Sequence, residues 1–201
     1  MSSKVDGAGT VKASADSTTL DGPTGAVSQL IESLARDLSE MESKHGRAHQ
    51  DAISRRDELA RVCRYARRFD EALNLYFQTL AAQQRVFGPY HVSTLRARSR
   101  VANTYYAAGR YPEAIWLFQD ILTKRSAALG WDHPDTLRSR SSLANSYCAV
   151  GSYQRAIALH EETLAARERV LGPAHERTIA SQTRLAEVRQ AAMAGKTGQT
   201  G

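Results

Sequence analysis

The sequence predicts an all-α protein in which antiparallel helix pairs stack into a solenoid of about eight helices. The first observation is a 42-residue repeat, visible where LG..H begins at Leu129 and again at Leu171. The second is the recurrence of apolar residues every three and four positions, which is typical of helices that bury one side. The third is a glycine where all but one of these patterns stop. Because only 7% of residues are aromatic, the core must consist mainly of Ala, Leu, Val and Ile.

The repeat is defined by a single offset that aligns three kinds of residue. These are Gly88, Gly130 and Gly172, then His91, His133 and His175, then Thr94, Thr136 and Thr178. Residues 88–129 and 130–171 are identical at 19 of 42 positions, and a more diverged copy occupies 46–87. Units of this length bury their apolar face only against their neighbours, so the repeat predicts a linear stack.

The chain begins with a polar arm, residues 1–25, for which we predict no fixed structure. A lone helix is predicted over 26–44, because Val27, Leu30, Leu34 and Leu38 follow helical spacing. This helix has the register of the second helix of a pair. The predicted repeat domain extends from here to residue 194.

Each repeat is predicted to be a pair of helices separated by a glycine. In the unit 130–171, Gly151 divides the two apolar patterns. Asp132 is expected to cap the first helix, Pro134 suits its first turn, and Ser152 is expected to cap the second helix. Small residues, such as Ala144 facing Ala156, recur in every copy and predict close helix contacts at that level.

The two ends of the repeat array differ from its middle. In the first unit Arg67 stands where Gly109 and Gly151 stand later, so its hairpin turn is the least well specified. After the third unit, a polar helix over 177–193 is predicted to cap the stack. Residues 195–201 form a predicted disordered tail.

The segments LGWDHPDTL, SSLANSY, GSYQRAIAL and RERVLGPAH resemble tetratricopeptide repeats, in particular the 42-residue kinesin light chain-like subclass. The resemblance covers roughly residues 46 to 193. It implies a right-handed superhelix in which first helices line a concave face that binds extended peptides. It also matches Asn103 and Asn145 to groove asparagines.

The predicted binding surface lies on the side of each first helix opposite the apolar positions. Its candidate residues are Arg61, Arg64, Arg96, Ser99, Arg100, Asn103, Tyr106, Arg138, Ser141 and Asn145. An asparagine carboxamide both donates and accepts hydrogen bonds, so it can pair with a peptide backbone of any sequence. Arginines can bind acidic side chains through paired hydrogen bonds. The alternative is that these residues simply hydrate a helix face.

No catalytic residue, metal ligand or cofactor site is predicted, and the protein is expected not to be an enzyme. Four histidines, His49, His91, His133 and His175, occur one repeat apart, which favours a structural role in the connectors over a shared metal. Acidic residues of the second helices, such as Asp120 and Glu162, are expected to face solvent rather than form an acid–base pair.

The net charge of +6, with 22 arginines and 5 lysines, leaves several partner classes open. The favoured function is an adaptor that binds an extended, acidic peptide. Nucleic acid is disfavoured because the aromatic residues are assigned mostly to the core and because Asp57, Glu58 and Glu187 interrupt the basic face. A third hypothesis is self-assembly through the terminal helices. With no membrane-length apolar run and no cysteine motif, a cytoplasmic location is expected.

Overall fold

The computed structural model describes residues 23–197, with side chains from 25 to 194. This part of the chain contains eight helices and no strand. They are α1 (Pro23–His45), α2 (Gln50–Tyr65), α3 (Phe69–Phe87), α4 (Val92–Ala107), α5 (Tyr111–Leu129), α6 (Pro134–Ala149), α7 (Tyr153–Leu171) and α8 (Glu176–Thr197). Residues 1–22 of the predicted arm and 198–201 of the predicted tail lie outside the described residues. Helix α1 begins at Pro23, three residues before its predicted start at 26. Helix α8 continues past its expected end at 193.

The helices pack in chain order, each against the helix before it and the helix after it. Helix α4 also contacts α6, so neighbouring first helices lie side by side. One apolar core connects the hairpins from Leu34 in α1 to Val188 in α8. The predicted solenoid of helix pairs is confirmed.

Alanines are fully buried at matching positions of the two helices in every hairpin. The residues involved are Ala60 and Ala72, Ala102 and Ala114, and Ala144 and Ala156, and all six are fully buried. This confirms the sequence prediction. Larger side chains at these positions would force the helices apart or into strained rotamers.

The turn inside each hairpin has the same backbone geometry in all three repeats. The residue after the turn donates its N–H to a carbonyl five residues earlier, over 2.8 Å from Arg68 to Cys63, 2.9 Å from Arg110 to Tyr105 and 2.9 Å from Ser152 to Tyr147. Gly109 and Gly151 adopt φ values of 77° and 73°, and Arg67 adopts 61°. The first repeat therefore keeps the turn although an arginine occupies a conformation that favours glycine.

Histidines form the N-caps of the first helices. The Nδ1 atoms of His49, His91, His133 and His175 accept the backbone N–H two residues later at 3.3, 3.2, 3.1 and 3.1 Å. The predicted structural role is confirmed. The expectation that Asp132 caps α6 is wrong, since His133 holds that position and Asp132 instead pairs with Arg169 at 2.6 Å. Ser152 is the N-cap of α7, but its hydroxyl makes no capping hydrogen bond.

Arginines near the ends of second helices link successive repeats. Arg125 in α5 donates to the Ser139 hydroxyl at 2.6 Å and to the Asp135 carbonyl at 3.2 Å. Arg167 in α7 makes the equivalent bonds to Ser181 and to the Arg177 carbonyl. These contacts fasten α6 and α8 to the hairpins that precede them.

Candidate functional site

The candidate groove residues are all accessible on the first helices. Arg61, Arg96, Asn103, Tyr106 and Arg138 are exposed, and the other five are partly buried. None lies sealed beneath another helix. Their arrangement is therefore suited to contact with a partner, although each has a different immediate environment.

Two of the candidates meet in a cleft at the C-terminal end of α2. This cleft has a volume of about 320 Å³ and is lined by Arg61, Arg64, Tyr65, Arg67, Phe69 and Ala107. None of its three arginines forms an ion pair with a described residue. Arg67 lies 5.3 Å from the centroid of the Phe69 ring, and Tyr65 is 84% exposed. The cleft thus combines uncompensated positive charge with aromatic surface.

Arg100 differs from the other candidates because its ion pair reaches a neighbouring helix. Its Nη1 contacts the Asp57 carboxylate, which joins α4 to α2 across neighbouring first helices. Burial raises the pKa of Asp57, and the positive charges of Arg100, Arg61 and Arg56 oppose that shift. The negative charge of Asp57 is therefore compensated by Arg100 and interrupts the basic face less than expected. For the same reason Arg100 is less available to a ligand.

The two asparagines have free carboxamides within the described part of the chain. Neither Asn103 nor Asn145 makes a side-chain hydrogen bond there. Ser99, by contrast, donates to the Leu95 carbonyl at 2.8 Å. Arg138 pairs with Asp135 on its own helix at 2.9 Å, but its side chain is 62% exposed, so this contact is easily exchanged for another.

Buried and partly buried arginines form a row on the opposite side of the first helices, which was not predicted from the sequence. Arg98 donates to Asp120, which also binds Lys124. Arg140 lies 3.7 Å from Glu162 and 5.3 Å from the Trp131 ring centroid. The recurrence of arginine at 56, 98 and 140, within an otherwise apolar pattern, is the signal that could have identified this row.

The expectation that Asp120 faces solvent is therefore wrong. Its side chain is 26% exposed and lies between two cations. Burial alone would raise the pKa of Asp120, but the hydrogen bonds from Lys124 and Arg98 outweigh it and lower the pKa below its usual value. This carboxylate is part of the hairpin interface, not of a solvated helix face.

The assignment of aromatic residues to the core is also corrected. Only Tyr76, Phe118 and Tyr147 are buried among the described aromatic side chains. The exposed ones are Tyr65, Phe77, Phe87, Tyr90, Tyr106, Trp116 and Trp131. The remaining four are partly buried, so about half of the described aromatic side chains are available to partners.

Two further observations concern the described residues only. None of their helices is long and apolar enough to cross a membrane. Within the same range, no three His, Cys, Asp or Glu side chains come together as a metal site.

The sequence profile of the tetratricopeptide repeat family matches residues 50–127, 99–165 and 135–197, so it covers most of the chain. No curated protein matches the chain significantly.

Solved structures show the same fold. The chain is similar to a kinesin light chain-like protein of Podosopora anserina with nearly identical TPR-like repeats, at a TM-score of 0.72 and 28% identity, covering 87% of this chain and 83% of that one. A single-substitution variant of that protein gives a TM-score of 0.73 at 28% identity, with 87% and 82% covered. BtubC (BKLC) from P. vanneervenii shares the fold at a TM-score of 0.69 and 19% identity, covering 84% of this chain and 67% of that chain.

Proposed function

The chain belongs to the tetratricopeptide repeat family, and from this we propose that it is a noncatalytic adaptor that binds an extended, acidic peptide along its first helices. Repeats of this family typically form protein–protein interaction scaffolds. The finer assignment, to an acidic segment, comes from the charges of this chain. The peptide would contact successive first helices and so read several repeats at once.

The observation that carries the proposal is the cleft formed by Arg61, Arg64 and Arg67. Three guanidinium groups without ion pairs among the described residues create a local excess of positive charge. Carboxylates bind guanidinium groups through paired, charge-assisted hydrogen bonds, which are stronger than neutral ones. An acidic side chain placed here would relieve repulsion among the arginines as well as form new bonds.

Asn103 and Asn145 supply the second part of the proposed groove. Their unpartnered carboxamides can each donate to and accept from the backbone of an extended peptide. They lie at the same position in consecutive repeats, so they would contact the peptide at regular intervals. The asparagines would then select an extended conformation, and the arginines would select acidic sequences.

An array of acidic ten-residue peptides, with the strongest binder retested in solution, tests this function. The double variant Arg61→Ala with Arg64→Ala removes one set of charge-assisted bonds and should weaken peptide binding about tenfold. The double variant Asn103→Ala with Asn145→Ala removes the hydrogen bonds to the peptide backbone and should weaken binding by a similar factor. Arg36→Ala with Arg155→Ala is the matched control, since both arginines are exposed and lie on α1 and α7. Equal binding by all variants would contradict the proposal.

A nucleic-acid ligand is the second candidate, and the exposed Tyr65 beside three arginines favours it. Bases of single-stranded RNA could stack on such a ring while phosphates bind the arginines. Titration with oligouridine at several salt concentrations separates the two functions. A steep loss of affinity with salt, together with no binding to acidic peptides, would establish RNA as the ligand.

Self-association is a third possibility that the terminal helices support. Ile179 and Met193 in α8 are 49% and 69% exposed, and Leu30 in α1 is 47% exposed. Light scattering over a range of protein concentrations measures it directly.

We also propose a reducing compartment for the protein, because Cys63 and Cys148 form no disulfide.

A further inference from the structure

A second basic cleft lies between the first connector and helix α3. It has a volume of about 490 Å³ and is lined by Arg47, Arg56 and Arg85 together with His45, Gln78, a glycine and three alanines. None of the candidate groove residues lines it. It is therefore a separate feature from the first-helix surface, and its chemistry needs its own explanation.

The other repeats show what normally occupies this place. Arg56 corresponds to Arg98 and Arg140, which are paired with the carboxylates of Asp120 and Glu162 from the second helix of the same hairpin. The first repeat has Gln78 at the position of those two acids. The Gln78 amide is directed along its own helix, where it donates to Asn74 Oδ1 at 3.1 Å. The carboxylate that the repeat pattern supplies is therefore missing.

Arg56 is left with unused hydrogen-bond donors. Its side chain is 1% exposed, and its Nη2 donates to Glu42 and to the Arg47 carbonyl at 3.2 Å. Its Nε and Nη1 have no acceptor; Nε is unpaired in Arg98 and Arg140 as well, so Nη1 is the donor that distinguishes Arg56. In Arg98, Nη1 is the atom that binds Asp120. A buried charged donor without a partner is destabilising, so an acceptor from outside would be strongly favoured at this point.

The charges around the cleft favour an anion. Among the described residues, Glu42 is the only carboxylate paired with its arginines, and it is shared between Arg56 and Arg47, which lies 3.3 Å from it. Arg85 is exposed on the rim and forms no ion pair with any described residue. Three guanidinium groups thus face one carboxylate.

We propose that this cleft binds an aspartate or glutamate side chain from an acidic segment of a partner protein. The carboxylate takes the position that Asp120 and Glu162 hold in the later repeats and accepts from Arg56 Nη1. Arg85 attracts the segment at the rim. The cleft adds a contact outside the first-helix groove, so it does not depend on the function proposed above.

Fluorescence anisotropy with labelled hexaglutamate tests the proposal. The full chain should carry Arg61→Ala and Arg64→Ala, which removes binding in the other cleft. In this background Gln78→Glu places a carboxylate beside Arg56 within the chain, so hexaglutamate affinity should fall about tenfold through the loss of one charge-assisted contact. Gln154→Glu, an identical charge change at an exposed position of α7, should change affinity less than twofold.

Two measurements complete the test. The melting temperature of the Gln78→Glu variant should be equal to or above that of its parent, because the new carboxylate satisfies Arg56; a lower value would count against the geometry. Inorganic phosphate is then titrated alone. The proposed site is refuted if Gln78→Glu weakens the binding of phosphate but not that of hexaglutamate. It is also refuted if Gln78→Glu and Gln154→Glu lower the hexaglutamate affinity equally.

Discussion

The first and third repeats have the same backbone but treat their charged residues differently. Ala60 and Ala72 pack in one as Ala144 and Ala156 pack in the other, with all four fully buried. In the third repeat Arg140 has a carboxylate partner on α7, whereas in the first repeat Arg56 lacks the equivalent one. A few small residues and turn positions therefore specify the hairpin, whereas the ion-pair partners of Arg56 and Arg140 differ between repeats.

The differences of the first repeat concentrate positive charge on its surface. Arg67 replaces a glycine and adds a guanidinium group to the cleft that contains Arg61 and Arg64. Gln78 replaces an acid and removes a negative charge from the other cleft. Both substitutions leave the fold intact and increase the positive charge that a partner would meet. We therefore expect the first repeat to contribute most to ligand binding and the third to stability.

The largest expected effect concerns His160, which occupies the position of Phe118 and Tyr76. Burial, together with Arg184 and Arg167, lowers the pKa of His160 to about 4. The unfolded chain binds a proton below about pH 6.5, while the folded chain binds it only near pH 4, so stability falls as pH decreases between these values. The full loss is about 3 kcal/mol.

Replacing His160 with Phe should abolish that part of the pH dependence. Urea unfolding measured at intervals from pH 7 to pH 4 gives the difference between the variant and the original chain. His45→Gln serves as the control for the loss of a histidine, because His45 is exposed. An identical pH slope in the His160→Phe variant would show that the imidazole titrates normally in the folded protein.

A smaller effect on the free energy of unfolding is expected when the second repeat loses its carboxylate at position 120, as the first repeat lacks one at position 78. Asp120→Asn leaves Arg98 and Lys124 without their carboxylate and should lower the free energy of unfolding by about 2 kcal/mol at neutral pH. Urea unfolding provides the measurement. Asp132→Asn is the comparison, since the Asp132–Arg169 pair is exposed on both sides and should matter much less. Similar losses in both variants would mean that burial does not distinguish these pairs.

The smallest effects concern the hairpin turns. Arg67→Gly relieves a positive φ and should stabilise the protein by about 1 kcal/mol, and Gly151→Ala should destabilise it by a similar amount. No described atom lies within 4 Å of a side-chain carbon built on Gly151, so the cost should come from the backbone alone. Thermal unfolding of both variants checks the opposite signs. Changes of the same sign would contradict a shared turn geometry.

Much of the fold was predictable because its determinants are local and repeated. The 42-residue offset, the helical spacing and the glycines of the turns place the helix pairs, and the alanines mark their contacts. A structural role for the connector histidines followed from their position in successive units, but their identity as the N-caps did not. The Asp132 cap was mispredicted because adjacent residues can both reach a helix start, and the sequence does not show which one adopts the extended backbone of the N-cap.

The candidate site was less predictable because its charges depend on contacts distant in sequence. The Asp57–Arg100 pair joins residues 43 positions apart, and Arg98 meets Asp120 across a hairpin. Spacing places such residues on a helix face, but it does not determine which rotamer brings a guanidinium group to which carboxylate. The buried row at 56, 98 and 140 was visible as a recurrence, yet its meaning required the second helices.

The connector glycines give the junctions between repeat units a common backbone conformation. Gly88, Gly130 and Gly172 have φ values of 82°, 91° and 87°, so each junction has nearly the same backbone conformation at its glycine. Excision of residues 88–129 would join Phe87 to Gly130 at a junction of the same form, and duplication of that segment would insert one more hairpin in register. The gain or loss of a whole 42-residue unit would thus change the length of the helical array without requiring a new junction sequence.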